Sequence, residues 1–308
     1  MSSSLADALC NRTSIQELSL MEKTIFSNAW FSEENERKID SKIEKVCIHG
    51  FHLNENDPTA SRDLVRFLCL LPCLTDLMIK GSRSDSHYNR LFLLDDFYHE
   101  LARQASSSKI EKVCIHGCHL NKNVPTASRD LARFLCLLPC LTELMIKGSD
   151  DQYINLLFLR DDFYHELARQ APSSKIEKVC IHDCDLNKND PTASRDLARF
   201  LFFLPCLTDL TIKGSDDQFN HIFLHDDFYH ELARQASSSK IEKVCIHGFH
   251  LNNNDPTASR DLARFLCLLP CLTDLTIKHY ADKLFHRDDF YLELARQASS
   301  SKVIGKVF

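Results

Sequence analysis

The chain repeats itself. The string Lys-Ile-Glu-Lys-Val-Cys-Ile-His begins at Lys42, Lys109, Lys175 and Lys240, at intervals of 67, 66 and 65 residues. Leu-Pro-Cys-Leu-Thr begins at Leu71, Leu138, Leu204 and Leu269, at the same intervals. Residues 42–301 are therefore four tandem near-copies of one unit, each a double repeat of about 66 residues. A divergent leader or cap occupies 1–41, and 302–308 reads as a truncated copy. Such a period decides architecture before local propensity does, because each unit can bury its apolar edge only against its neighbours. The 308 residues, which length alone would divide into two domains, are expected to form one solenoid with one continuous core.

Each unit has two halves. One carries Ile110-x-x-Val113-x-Ile115-x-x-Cys118-x-Leu120, and the other carries Leu141-x-x-Leu144-x-Ile146. Both fit the frame L-x-x-L-x-L. Frames start at 15, 43, 74, 110, 141, 176, 207, 241 and 272, with a broken tenth near Val303. The last two apolar residues of a frame are two apart, so they share one face of a strand. A helix-period stretch follows each strand. Leu131, Leu135 and Leu138 recur at i, i+4 and i+7, and Phe163 and Leu167 at i, i+4. Pro125-Thr126 suits a helix start, Pro139 a stop, and the Asp161-Asp162 pair the positive end of a helix.

These frames place the chain in the α/β class as a right-handed solenoid, or horseshoe, with a concave parallel sheet and convex helices. The 11-residue frame resembles the leucine-rich repeat, in its ribonuclease-inhibitor-like class. Similar repeats form the sensor end of NACHT–leucine-rich-repeat (NOD-like) innate immune receptors. The resemblance spans nearly the whole chain. Phe51 and Phe249 at the ninth frame position, and coils alternating between about 31 and 35 residues, depart from the family pattern. The resemblance implies a protein-binding module, the ligand-sensing part of such a receptor or a fragment of one. The alternative it leaves open is a free-standing cytosolic inhibitor or adaptor, like ribonuclease inhibitor or a ubiquitin-ligase substrate receptor.

Composition excludes other classes. A net charge of −6 argues against a nucleic-acid partner. No apolar run reaches the roughly 18 residues that span a bilayer, and Met1-Ser2-Ser3-Ser4-Leu5 lacks the features of a signal peptide. A cytoplasmic protein with no membrane partner is expected. No P-loop, G-x-S-x-G or H-E-x-x-H motif occurs. The chain is read as a non-enzyme with no catalytic residue, cofactor or metal.

Fourteen cysteines demand an account. Cys118 and Cys184 in the frame, and Cys69, Cys73, Cys136, Cys140, Cys206, Cys267 and Cys271 around the helix end, are expected to be reduced thiols filling the core. Cys47, Cys114, Cys180 and Cys245 lie between the inward strand residues and so point to the concave face. His49, His116, His182 and His247 point the same way. The intervening strands present Met78 and Lys80, Met145 and Lys147, Thr211 and Lys213, Thr276 and Lys278. These sixteen residues are the candidate protein contacts. The Cys-x-His pairs recur two strands apart, about 9–10 Å, which is too far for one zinc ion.

The copies differ most after each Ile-Lys, in Gly81–Leu94, Gly148–Arg160, Gly214–His225 and His279–Arg287. Such loops either drift or recognise something that varies. Tyr88, Tyr153 and Phe219 are the candidate rim contacts there. The final residues, ending Val307-Phe308, read as a spoiled frame. The expectation is a fragment or an interrupted gene product, open to self-association through an unpaired C-terminal edge strand.

Overall fold

The computed structural model describes residues 15–20, 41–49, 58–80, 95–117, 125–148, 161–182, 191–214, 226–247, 256–278 and 287–298. The strands are β1 (Glu17–Leu20), β2 (Lys45–His49), β3 (Asp76–Lys80), β4 (Lys112–His116), β5 (Glu143–Lys147), β6 (Lys178–His182), β7 (Asp209–Lys213), β8 (Lys243–His247) and β9 (Asp274–Lys278). They form one parallel sheet in sequence order. Eight helices are described: α1 (Pro58–Leu70), α2 (Asp95–Gln104), α3 (Pro125–Leu137), α4 (Asp161–Gln170), α5 (Pro191–Phe203), α6 (Asp226–Gln235), α7 (Pro256–Leu268) and α8 (Arg287–Ala298). From β2 onward one helix follows every strand. All nine frames are strands, and the fold is an α/β leucine-rich-repeat solenoid.

The frame explains the core. Leu141, Leu144 and Ile146 are buried, as are Ile110, Val113 and Ile115. In β4–β5 the register sets Val113 against Leu144 and Ile115 against Ile146. In β5–β6 it sets Leu144 against Val179 and Ile146 against Ile181. The same side of every strand thus feeds one apolar ladder. From the helix layer, Leu131, Leu135, Leu138, Phe163 and Leu167 close over it. The two helix types begin as expected, at Pro125 and at Asp161.

Strand entry is fixed by polar devices that recur with the repeat. The carbonyl of Glu111 accepts from the backbone amides of Thr142 (2.9 Å) and Glu143 (3.0 Å), and from the Thr142 hydroxyl at 3.4 Å. Glu44, Glu177 and Glu242 carbonyls do the same for the pairs beginning at Thr75, Thr208 and Thr273. The Ser108 hydroxyl accepts from the amide of Ile110 at 3.2 Å, and Ser174 and Ser239 repeat the contact. These bonds satisfy amides where the chain enters the ladder. At the strand exit Gly117 sits at φ 59°, where a β-carbon would clash, and donates to the Lys147 carbonyl at 2.9 Å.

The helix layer carries a charge chain that the hydrophobic frames did not foretell. Glu166 of α4 is buried. It accepts from Arg169 at 2.9 and 2.6 Å, from Gln170 at 3.0 Å, and from Arg133 of α3 at 3.1 Å. Burial would raise its pKa, but the bonds from Arg169, Gln170 and Arg133 outweigh it and hold the carboxyl at about 2. Glu231 of α6 repeats the arrangement. Its bond from Arg234 outweighs burial and, with the Gln235 bond and the nearby guanidinium charges, holds it at about 2. His99, His165 and His230 each reach a buried aspartate of the next helix, Asp130, Asp196 and Asp261, at 3.3–3.4 Å. In α8 the corresponding residue is Leu292, 68% exposed.

One expectation about the cysteines is overturned. Of the described thiols around the helix end, only Cys136 is buried. Cys267 is half-buried, and Cys69, Cys73, Cys140, Cys206 and Cys271 are exposed. For Cys73, Cys140, Cys206 and Cys271 the reason is the turn. The helix ends at Leu137, and the following Pro139-Cys140 pair swings outward before Leu141 returns to the core. Cys118 and Cys184 lie outside the described residues, as do Phe51, Phe249, the residues before 15 and those after 298. Among the described residues no helix is long and apolar enough to cross a membrane.

Candidate functional site

The side of the sheet turned away from the helices presents three columns, one residue per strand in each. The first column runs Lys45, Asp76, Lys112, Glu143, Lys178, Asp209, Lys243, Asp274, each in register with the next. The sign of charge alternates along it. Lys45 pairs with Glu17 at 2.9 Å and Lys112 with Glu143 at 3.7 Å. Both pairs are exposed and screened by solvent, so they order the surface more than they hold the fold.

The second column runs Cys47, Met78, Cys114, Met145, Cys180, Thr211, Cys245, Thr276. The third runs His49, Lys80, His116, Lys147, His182, Lys213, His247, Lys278. All sixteen residues expected on this face from the sequence are on it, because strand residues alternate sides and Val46 and Ile48 take the core side. Most are half-buried. Cys47 and His116 are buried, and Lys278 at the last strand is exposed. A shallow hollow opens between the first two columns, lined by Met78, Cys114 and Met145 and bordered by Lys45, Asp76, Lys112 and Glu143.

The thiols of this face are quiet. Burial pushes Cys114 and Cys180 up to about 11, and raises Cys47 and Cys245 as well. Cys47 Sγ lies 3.0 Å from His49 Nε2. The pair has the distance of a nucleophile and its base, but the electrostatics oppose that use. Burial raises the Cys47 thiol, while burial and then the Lys80 charge lower His49, so both partners are held neutral. An activated cysteine needs the reverse shifts. Among the described residues no group of three His, Cys, Asp or Glu is placed to hold a metal ion.

The third column is locally basic. Lysines on alternate strands with histidines between them form one row, about 4.8 Å per strand. The net charge of −6 therefore does not by itself decide against a polyanionic partner. The rim residues Tyr88, Tyr153 and Phe219 lie outside the described residues.

No protein-family model matches this chain. No curated protein matches it. Among solved structures, a crystal structure of the TLR13–ssRNA13 complex aligns at 11% identity with a TM-score of 0.27. The alignment covers 78% of this chain and 37% of that one. A likeness of that degree adds nothing to the register and topology above, and the assignment of the fold rests on those.

Proposed function

We propose that the chain is a protein-recognition module that holds its partner on the open face of the sheet, in the manner of the ligand-sensing repeats of NOD-like receptors. The observation that carries this reading is the composition of the face. Eight consecutive strands present an apolar sulfur-and-threonine column between a charge-alternating column and a basic one. An apolar centre with polar flanks is how protein interfaces are built. The face runs in register across eight hydrogen-bonded strands, so its backbone is already ordered for a partner. The Cys47–His49 pair, whose two partners are both shifted toward their neutral forms, is not built as a nucleophile and its base. In this reading the sixteen residues of the second and third columns are contacts, the rim loops add specificity, and the whole chain from 1 to 308 works as one solenoid.

The test is a pull-down under reducing conditions from the source cells with wild-type chain and a variant carrying Lys80→Glu, Lys147→Glu, Lys213→Glu and Lys278→Glu. A partner held by wild type and lost by a folded variant supports the reading. A partner held equally by both places recognition elsewhere and refutes it.

A further inference from the structure

The second column of the face changes character along the sheet. From β2 to β6 it presents sulfur on five consecutive strands, Cys47, Met78, Cys114, Met145 and Cys180. From β7 onward the methionine positions hold Thr211 and Thr276, on either side of Cys245. The flanking strand residues are otherwise the same, Asp or Glu, Leu, Ile and Lys. The chain has only four methionines in 308 residues, and two of them stand on either side of Cys114. Met78, Cys114 and Met145 also line one hollow.

The chemistry of that set is narrow. Thioethers have no proton to lose and bind soft cations, whereas carboxylate and imidazole sites favour harder ones. Neighbouring strands are about 4.8 Å apart, and two metal–sulfur bonds of about 2.3 Å span nearly that distance. Methionine has three rotatable bonds, so two of them can lean over a central cysteine from either side. Zinc is poorly served here. It takes four ligands, usually thiolates and imidazoles, and successive cysteines of this column are two strands apart.

We propose that Met78, Cys114 and Met145 form a three-sulfur site for a soft monovalent cation of the Cu(I) class. The two thioethers bind as neutral donors. Cys114 binds as its thiolate, and the proton it gives up goes to solvent. The Thr211–Cys245–Thr276 stretch is the same scaffold without the thioethers and does not hold the cation. The site stands on the register of β3–β5 and does not depend on the face binding a protein.

The test uses the full chain labelled with methyl-13C methionine, which gives one methyl signal per methionine. The thiols exposed among the described residues are first removed by Cys69→Ser, Cys73→Ser, Cys140→Ser, Cys206→Ser and Cys271→Ser, so that they do not take up the added metal. Met78→Leu and Met145→Leu assign two of the signals. Under anaerobic reducing conditions, Cu(I) is expected to move the Met78 and Met145 methyls together, and Zn(II) to move neither. In Cys114→Ser, with an unchanged circular dichroism spectrum, neither signal moves. Thr211→Met with Thr276→Met is expected to add a second pair of Cu(I)-sensitive methyls around Cys245. The proposal is overturned if Cu(I) is taken up with the Met78 and Met145 signals unmoved. It is equally overturned if both signals still move in Cys114→Ser.

Discussion

Glu166→Gln tests how the helix layer is held together. The wild-type carboxylate accepts four bonds, two from Arg169, one from Gln170 and one from Arg133 of the neighbouring helix. Its pKa of about 2 lies below the ordinary 4.5. At about 1.4 kcal/mol per unit, the full shift corresponds to roughly 3 kcal/mol. Arg133 and Arg169 are about half exposed, at 45% and 54%, so solvent screening reduces the contribution to about 1–2 kcal/mol. The sign follows from the direction of the shift. A depressed carboxyl contributes its full stability above the unfolded value near 4.5 and loses it as pH falls through about 2. Urea unfolding followed by circular dichroism should show Glu166→Gln less stable than wild type by about 1–2 kcal/mol at pH 7. The gap should narrow steadily below pH 4.5. Glu231→Gln, one repeat on, should behave alike, because stability in a stacked array is nearly a sum over neighbouring junctions. Equal stability of mutant and wild type at pH 7, or a deficit unchanged between pH 7 and pH 3, would show that the ionised Glu166 does not hold the two helices together.

Three further outcomes are expected. Leu144→Asp, which puts a charge at a fully buried position in the central strand, should cost more than about 4 kcal/mol and abolish the folded circular dichroism spectrum; a folded mutant would contradict the register. In a timed alkylation at pH 8, mass spectrometry should find the exposed Cys73, Cys140, Cys206 and Cys271 modified well before Cys136, which burial pushes up to about 12; Cys136 reacting first would mean that the helix end opens in solution. Leu292→Lys should leave the melting temperature within about a degree and reduce concentration-dependent light scattering, because Leu292 is 68% exposed on the last described helix beside the half-exposed Tyr291; unchanged scattering would clear this end of the stack of self-association.

The sequence carried most of the fold because the repeat and the frame act on the backbone. Nine starting positions gave nine strands in order, and the alternation within Val-Cys-Ile-His placed cysteine and histidine opposite the core. What it carried less well were the contacts made between coils. The Glu166–Arg133 bond joins residues 33 apart, and nothing in either helix read alone announces it. The signal was present in the recurrence of Arg-Asp-Leu-x-Arg-Phe in one helix and Glu-Leu-Ala-Arg-Gln in the next, with the paired Arg and Glu 33, 32 and 29 residues apart in successive units. The cysteines near the helix end were misplaced for a related reason. The Leu-Pro-Cys-Leu-Thr motif looks apolar throughout, but a turn points successive side chains in different directions, so Leu138 and Leu141 are buried while Cys140 is exposed. The face columns were legible residue by residue. The hollow that joins Met78, Cys114 and Met145 needed the register of three strands at once.

The proposed recognition uses the open face of the sheet. Oxidative footprinting of the chain with and without its bound protein partner reads that face directly, because Met78 and Met145 are half-buried there and oxidise readily. On the opposite layer Leu137, Phe203 and Leu268 are 43–47% exposed at the ends of the alternate helices α3, α5 and α7 and serve as the reference. The partner is expected to protect Met78 and Met145 and to leave those three unchanged. Protection of Leu137, Phe203 and Leu268 with Met78 and Met145 still oxidised would contradict it and move recognition to the helix side.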